Sequence, residues 1–309
     1  MKIVAVEPIG ISSTRAETIK KDLSKKGYEF VWYDNRNENP DELVRRMKDA
    51  EMVIVSNIPL PKSVLSKCEK LKYLNVAFTG LDHIDLEYCE SQGIKVQNAS
   101  GYATEAVAEL AVALILDVYR KISSFNNFIR NGGARGAVLG FELRGKTVGI
   151  VGTGAIGLRT AELFKAFGCN IIAWSRTEKA EALANGLKYV PLDELMQQSD
   201  IISLHLPLTG QTENLIDRER LSLCKSSAVI INTARGKVLD NLALAEFLND
   251  EKIAGAGIDV YETEPPLPES HPLLTARNCV LVPHVGYATR EAFDDRIDIV
   301  LNHIATLVG

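Results

Sequence analysis

Three short strings in this sequence carry side chains that could bind an anion or move a proton. Arg235 lies in INTARG at 231–236, Glu264 in DVYETEP at 259–265, and His284 in VPHVG at 282–286. An arginine fork suits a carboxylate and a polarised carbonyl, and a histidine exchanges a proton near neutral pH. A carboxylate on the far ring nitrogen would favour the protonated imidazole. This set suits hydride transfer to a 2-oxo acid, with Glu264 as the partner of His284.

A glycine-rich string, GTGAIG at 152–157, stands between an apolar run and a helical pattern. In that context Gly152 allows a tight turn, Gly154 lets the backbone approach a pyrophosphate, and Gly157 allows helix and strand to pack closely. The N–H groups at the helix start would face the phosphates. The string therefore predicts a dinucleotide site, although a glycine-rich strand–helix turn without a ligand is the alternative.

The end of the next predicted strand bears on the choice of cofactor. An NAD site commonly has an acidic residue there to bind the ribose 2′-hydroxyl. This sequence has Ser175 and Arg176 instead, followed by Thr177. A hydroxyl beside a guanidinium can bind a 2′-phosphate, so the pattern favours NADP. NAD stays open as the alternative, in which Arg176 is a solvated surface residue.

The elements that must position these strings alternate between apolar strands and amphipathic helices, which predicts parallel sheets built from βαβ units. In the first hundred residues the predicted strands are Lys2–Val6, Tyr28–Tyr33, Met52–Ser56, Leu71–Ala77 and Ile94–Gln97. One helix is predicted from Thr104 to Arg130, with an apolar stretch that must be buried between domains or subunits. Six strands are predicted after it: Thr147–Val151, Asn170–Trp174, Asp200–Leu206, Ala228–Asn232, Gly255–Asp259 and Val280–Val282.

Composition and charge exclude several classes of protein. The 309 residues are 46% hydrophobic and 24% charged with a net charge of −5, typical of a globular protein. The sequence has no Lys/Arg-rich run, which argues against a nucleic-acid partner, and no apolar run long enough for a membrane span. Its five scattered cysteines argue against disulfides and a metal site. They favour the cytoplasm.

Taken together, VGIVGTGAIG, HLPLTGQT, INTARG, DVYETEP and PHVGYAT resemble the D-2-hydroxyacid dehydrogenase family in order and approximate spacing, over nearly the whole chain. The resemblance implies that Arg235 binds substrate, that Glu264 pairs with His284, and that His284 is the acid/base. It also implies that backbone amides of Phe78, Thr79 and Gly80 bind the substrate carboxylate. Phe78 stands where many members have glycine, which bears on the size of the pocket.

The same resemblance implies a set of residues that contact NAD or NADP. Besides Arg235 and His284, these are Thr104, Gly152, Gly154, Ala155, Ile156, Gly157, Ser175, Arg176, Thr177, Leu206, Pro207, Thr212, Thr233, Ala234, Asp259 and Gly286. No metal is expected. The Ser175-Arg176 pair resembles NADP-preferring glyoxylate and hydroxypyruvate reductases.

The family's architecture implies two Rossmann-like, doubly wound parallel-sheet α/β domains with a cleft between them. A discontinuous substrate domain would comprise 1–99 and 287–309, and a dinucleotide domain 100–286. The family is typically dimeric through the long helix and the arm after it, which implies a homodimer.

Other functions stay open at this point. A D-lactate or phosphoglycerate dehydrogenase would use the same residues. Some relatives sense dinucleotides without catalysis, although the joint presence of Arg235, Glu264 and His284 argues against that here. Formate oxidation would require a glutamine in place of Glu264, so the sequence disfavours it.

Overall fold

A computed structural model describes residues 1–184 and 186–308. Within these ranges the strands are β1 Lys2–Ala5, β2 Glu29–Trp32, β3 Met52–Val55, β4 Tyr73–Val76, β5 Lys95–Asn98, β6 Thr147–Val151, β7 Asn170–Trp174, β8 Lys188–Tyr189, β9 Ile201–Leu204, β10 Val229–Asn232, β11 Gly255–Ile258 and β12 Cys279–Leu281. The α-helices are α1 Ser13–Lys25, α2 Pro40–Met47, α3 Lys62–Leu65, α4 Leu86–Ser91, α5 Thr104–Arg120, α6 Ile122–Arg130, α7 Ala155–Ala166, α8 Ala180–Ala184, α9 Leu192–Gln198, α10 Arg218–Ser222, α11 Asn241–Asn249 and α12 Arg290–Val308.

The chain divides into two compact units. The first unit comprises Met1–Ala103 and the chain from Ala288 onward, and the second comprises Thr104–Tyr287. No helix among the described residues is both long and apolar enough to cross a membrane.

The first unit contains a five-stranded parallel sheet in the order β2-β1-β3-β4-β5. This is the flavodoxin-like order of doubly wound folds. Helix α12 packs on this sheet although it comes last in the chain, and its Ile297 and Val300 join the core formed by Ile3 and Met52. Asn75 on β4 donates from Nδ2 to the carbonyl of Val300 at 3.2 Å, which ties the helix to the sheet.

The second unit contains a seven-stranded parallel sheet in the order β12-β11-β10-β9-β6-β7-β8. When β6 is counted as the first strand, this is the strand order of dinucleotide-binding folds, with β12 added at one edge. Six of its strands match the predicted ones, so the parallel α/β fold expected for this unit is confirmed. The prediction of six strands missed β8, because its two residues, Lys188 and Tyr189, are too few to show any periodicity.

The single helix predicted from Thr104 to Arg130 is wrong, because the chain breaks it at Lys121. That residue is left-handed, with φ of 53°, and separates α5 from α6. Asp117 accepts a hydrogen bond from the amide of Ser123 at 2.8 Å and so stabilises the first turn of α6. The apolar residues of α5 from Ala111 to Tyr119 pack on α7 and on strands of their own sheet, so the second unit accounts for the burial of this part of the helix.

Candidate active site

The three strings with candidate chemistry follow neighbouring strands. β10, β11 and β12 are adjacent and parallel, so their carboxyl ends lie at one edge of the sheet. Backbone hydrogen bonds continue beyond the strands. The amide of Asp259 donates to the carbonyl of Asn232 at 2.9 Å, and the amide of His284 donates to that of Asp259 at 2.8 Å. The sheet therefore brings the three strings together.

The turn that carries Arg235 is shaped by Asn232, whose side chain is buried. Its Nδ2 donates to the carbonyl of Arg235, and its Oδ1 accepts from the amide of Ala234, both at 3.0 Å. The next residue, Gly236, lies against the backbone of Tyr261: a Cβ on Gly236 would lie 1.9 Å from the carbonyl carbon of Tyr261. The Arg235 turn thus packs directly on the backbone that leads to Glu264.

The side chains of His284 and Glu264 are in contact. The Nδ1 of His284 lies 2.8 and 2.9 Å from the two carboxylate oxygens of Glu264. The carboxylate accepts this bond, so Nδ1 carries a proton and Nε2 is the nitrogen that can exchange one with a substrate. The edge of the His284 ring packs at 5.5 Å against Tyr287. The side chain of His284 is 24% exposed and that of Glu264 is 70% exposed.

Asp259 holds the backbone that presents His284. Its carboxylate accepts from the amides of Val285 at 2.6 Å and Gly286 at 2.9 Å. His284 itself has a φ of 56°, a left-handed conformation that is uncommon outside glycine. Burial raises the pKa of the Asp259 carboxyl, and the two amide bonds oppose that rise. The turn stabilises an otherwise strained histidine.

The glycine-rich loop connects β6 to α7. Gly152 has a φ of 102° and lies against the carbonyl of His205, and a Cβ on Gly157 would lie 1.9 Å from the carbonyl oxygen of Gly152. A Cβ on Gly154 would meet nothing within 4 Å, so the backbone is open to a ligand there. Among the described residues no side chain caps α7, so the first-turn amides at Ala155 and Ile156 are available to an anion.

The loop after β7 carries Ser175, Arg176 and Thr177. Arg176 is exposed, and its Nη1 donates to the Oε1 of Gln211 at 3.1 Å. The hydroxyl of Tyr189 on β8 links this loop to the glycine-rich loop. It donates to the Oγ1 of Thr153 at 2.9 Å and accepts from the amide of Lys179 at 3.3 Å.

The remaining candidate cofactor residues also lie in the second unit. Leu206, Pro207 and Thr212 follow β9, where the Oγ1 of Thr212 donates to the carbonyl of Pro207 at 2.6 Å. Thr104 is the first residue of α5. The Oγ1 of Thr233 is buried, and among the described residues no group hydrogen-bonds it. A buried hydroxyl needs a partner, so this atom fits a polar ligand such as a nicotinamide amide.

Phe78, Thr79 and Gly80 lie in the first unit, directly after β4. The carbonyl of Phe78 accepts from the amide of Ala99 at 3.0 Å, and that of Thr79 accepts from the Nδ2 of Asn98 at 2.6 Å. Beside Phe78 lies Arg296, which is only 2% exposed and whose guanidinium carbon is 5.7 Å from the centre of the Phe78 ring. The sequence did not indicate Arg296, because nothing in a helical pattern reveals a buried cation.

Sequence reasoning also missed the surroundings of two other histidines. The ring of His205 accepts or donates a bond at 2.8 Å with Ser203, and burial lowers its pKa to about 3, so the imidazole is neutral. The side chain of Glu262 is 41% exposed. It is nevertheless bonded to both His271 and Asn241. The proline-rich composition of 265–272 was the available signal that this segment needs side-chain anchors.

Comparison with known proteins agrees with this geometry. Residues 112–286, more than half of the chain, match the family model described as D-isomer specific 2-hydroxyacid dehydrogenase, NAD binding domain. The chain is 39% identical over 293 residues to a glyoxylate reductase of Thermococcus litoralis, covering 91% of this chain and 88% of that protein. It is 32% identical over 295 residues to a hydroxypyruvate reductase of Blautia hydrogenotrophica, covering 92% and 91%.

Among solved structures, the chain resembles an acyclic imino acid reductase in complex with NADPH and D-arginine. The TM-score is 0.88 at 32% sequence identity, and the match covers 100% of this chain and 97% of that one.

Proposed function

The chain belongs to the D-isomer specific 2-hydroxyacid dehydrogenase family, and from this premise we propose that it reduces small 2-oxo acids of the glyoxylate and hydroxypyruvate type. The resemblance that the sequence motifs predicted is thus confirmed, as is an oxidoreductase activity on 2-oxo and 2-hydroxy acids. The observation that carries the proposed chemistry is the contact of His284 with Glu264 at 2.8 Å, in the segments that follow β12 and β11, beside β10, which leads to Arg235. The choice of glyoxylate and hydroxypyruvate is supported by the names of the relatives.

We assign to the Nε2 of His284 the proton that is transferred to the carbonyl oxygen of the substrate. A bound nicotinamide would supply the hydride. The Nδ1 of His284 donates its proton to Glu264 in a hydrogen bond, so the ring is held in one orientation and Nε2 is left for the substrate. The guanidinium of Arg235 would bind the substrate carboxylate and polarise the carbonyl oxygen, which then takes the proton from Nε2. In the direction of oxidation the same nitrogen would receive it.

We propose NADP as the preferred cofactor, with NAD as the alternative. Gly152, Gly154, Ala155, Ile156 and Gly157 would hold the pyrophosphate at the start of α7. Support for a 2′-phosphate comes from Arg176, an exposed cation in the loop after β7, with hydroxyls at Ser175 and Thr177. The related imino acid reductase was solved with NADPH. The residues on the nicotinamide side would be Thr104, Leu206, Pro207, Thr212, Thr233, Ala234, Asp259 and Gly286.

We further propose that residues 1–99 and 287–309 form the substrate domain and residues 100–286 the cofactor domain. The amides of Phe78, Thr79 and Gly80 would then hold the substrate carboxylate. Phe78 adds an aromatic ring where the family often has glycine, and a larger side chain there favours a small substrate.

A homodimer is proposed from the surface of the second unit. Helix α6 and the arm after it expose large apolar side chains, among them Ile129 at 66%, Leu139 at 74% and Phe141 at 58%. A cluster of this kind marks an interaction surface, and the family resemblance makes a second copy the occupant. Sedimentation of the parent and of Leu139→Asp tests it: a parent that sediments as a monomer contradicts the proposal.

The five cysteines are free thiols, which supports a cytoplasmic location.

A spectrophotometric screen tests the proposed function. NADPH and NADH would be assayed against glyoxylate, hydroxypyruvate, pyruvate, 3-phosphohydroxypyruvate and bulkier 2-oxo acids. We expect the highest kcat/KM with glyoxylate or hydroxypyruvate. Highest activity with pyruvate or the phosphorylated acid would indicate a D-lactate or phosphoglycerate dehydrogenase instead. Cofactor binding with no turnover of any acid would indicate a dinucleotide sensor.

A further inference from the structure

A second histidine–carboxylate pair is formed by the chain segment that also carries Glu264. The segment Tyr261–His271 carries Glu264, and Glu262 stands two residues before it. The Oε2 of Glu262 lies 3.1 Å from the Nε2 of His271, nine residues further on. The two residues therefore close the segment into a loop, with Glu264 inside it.

The side chain of Glu264 needs such support. It is 70% exposed, so packing does little to hold it in one conformation. The segment that follows contains Pro265, Pro266 and Pro268, which have no N–H to donate. Backbone hydrogen bonds therefore contribute little to its shape, and side-chain bonds must supply the order.

The hydrogen-bonding roles around His271 are determined by its neighbours. Its Nδ1 accepts from the amide of Leu273 at 3.4 Å, so in the neutral ring the proton lies on Nε2 and is donated to Glu262. The ring is 9% exposed and packs edge-on against Tyr261 at 5.7 Å. Both nitrogens are used, which fixes the ring.

The other end of the network is anchored on α11. The Nδ2 of Asn241, a residue that is 1% exposed, donates to the Oε1 of Glu262 at 2.8 Å. Burial raises the pKa of the Glu262 carboxyl, but the bonds from His271 and Asn241 outweigh burial and hold that pKa below its usual value. Glu262 is thus an anion that accepts two bonds near neutral pH. The hydroxyl of Tyr261 donates to the carbonyl of Val282 at 3.0 Å, two residues before His284.

We propose that Asn241, Glu262 and His271 form a clamp that positions Glu264 against His284. They are positioning residues, since none of them touches the reacting atoms. The inference rests on the proposed function, because it assigns the clamp to the acid/base pair. Its consequence is that loosening the clamp acts on catalysis only through Glu264.

The test compares pH profiles of 2-oxo acid reduction in the intact enzyme. Glu264→Gln is the reference, because it removes the negative charge that faces the Nδ1 of His284 and should move the alkaline limb to lower pH. His271→Ala should move that limb in the same direction and lower kcat about 3–10-fold, with KM for the cofactor unchanged. The double variant should shift no further than Glu264→Gln alone, because both changes act on one contact.

Two further variants separate positioning from general loss of structure. His271→Gln retains an amide donor for Glu262 and should restore most of the parent profile. Glu269→Gln removes an exposed charge from the same segment and should leave the profile unchanged. If His271→Ala does not fold, Glu262→Gln replaces it, since an amide has one acceptor oxygen and keeps only one of the two bonds.

The outcomes are distinguishable. A shift with Glu264→Gln but none with His271→Ala or Glu262→Gln overturns the clamp and leaves the proposed function standing. Additive shifts in the double variant also overturn it. An unchanged profile for Glu264→Gln overturns the pairing of Glu264 with His284 and with it the clamp, whereas a parent enzyme that reduces no 2-oxo acid overturns the proposed function.

Discussion

Cofactor preference is set by a small group of residues in the loop after β7, which makes it the sharpest prediction. The change is Ser175→Asp combined with Arg176→Ala. Arg176 is exposed, and within the described residues its guanidinium donates one hydrogen bond, to Gln211 at 3.1 Å. A guanidinium has five N–H donors, so the remaining ones can meet a 2′-phosphate without disturbing Gln211.

The magnitude follows from this geometry. A charge-assisted hydrogen bond contributes about 1.5–3 kcal/mol, and two such bonds to the same phosphate would contribute more. Solvent screens a site this open, so we take a net of about 1.4–2.7 kcal/mol. That corresponds to a preference for NADPH of about 10–100-fold in kcat/KM. The double variant removes the fork and adds a repelling carboxylate, so it should prefer NADH.

The assay is kcat/KM for both cofactors with one saturating 2-oxo acid, at low and at high salt. The parent's preference should weaken as salt rises, because the charges are exposed. Arg277→Ala removes another exposed arginine of the second unit, one paired with Glu251, and should leave the preference intact. A parent enzyme that uses NADH at least as well as NADPH at low salt would refute the reasoning about Ser175 and Arg176.

Three further outcomes are expected. His284→Ala should lower kcat about 10²–10⁴-fold with a much smaller change in cofactor affinity, and near-parent turnover would contradict its role as the acid. Gly236→Ala should lower thermal stability and kcat together, since its Cβ would overlap the backbone of Tyr261; a parent-like melting temperature would show that the turn can relax. Burial lowers the pKa of His205 to about 3, below its value of about 6.5 in the unfolded chain, so the unfolded chain takes up a proton that the folded one does not. Stability should therefore fall by about 1.5–2 kcal/mol between about pH 6.5 and 5, measured by urea unfolding, and His205→Gln should lose most of that dependence.

Much of the fold was predictable because its signals are local. Buried parallel strands are short apolar runs, and the six predicted strands of the second unit correspond to β6, β7 and β9–β12. The glycine-rich string indicates a tight turn by itself, since Gly152 has a φ of 102° that other residues rarely adopt. The strand-end positions of Arg235, Asp259 and His284 follow from the same pattern, because parallel strands present their carboxyl ends at one edge.

Other features depend on contacts that no local pattern encodes. The break at Lys121 interrupts a continuous helical periodicity, and Asp117 stabilises the new helix from six residues away. Strand β8 exists because its two residues pair with β7, not because of their own propensity. Neither the helix break nor strand β8 could be predicted from the amino-acid composition.

The sequence by itself determined which residues could do chemistry and which strands present them, because side-chain type and hydrophobic period belong to the chain. Only the tertiary structure decided what holds them in place. Glu262 and His271 are nine residues apart, and Asn241 reaches the same carboxylate from another helix. Tyr189 joins the loop that follows β6 to the loop that follows β7. Such bonds form only after packing has brought distant segments together and has offset the loss of conformational entropy. Their partners therefore cannot be inferred from spacing along the chain.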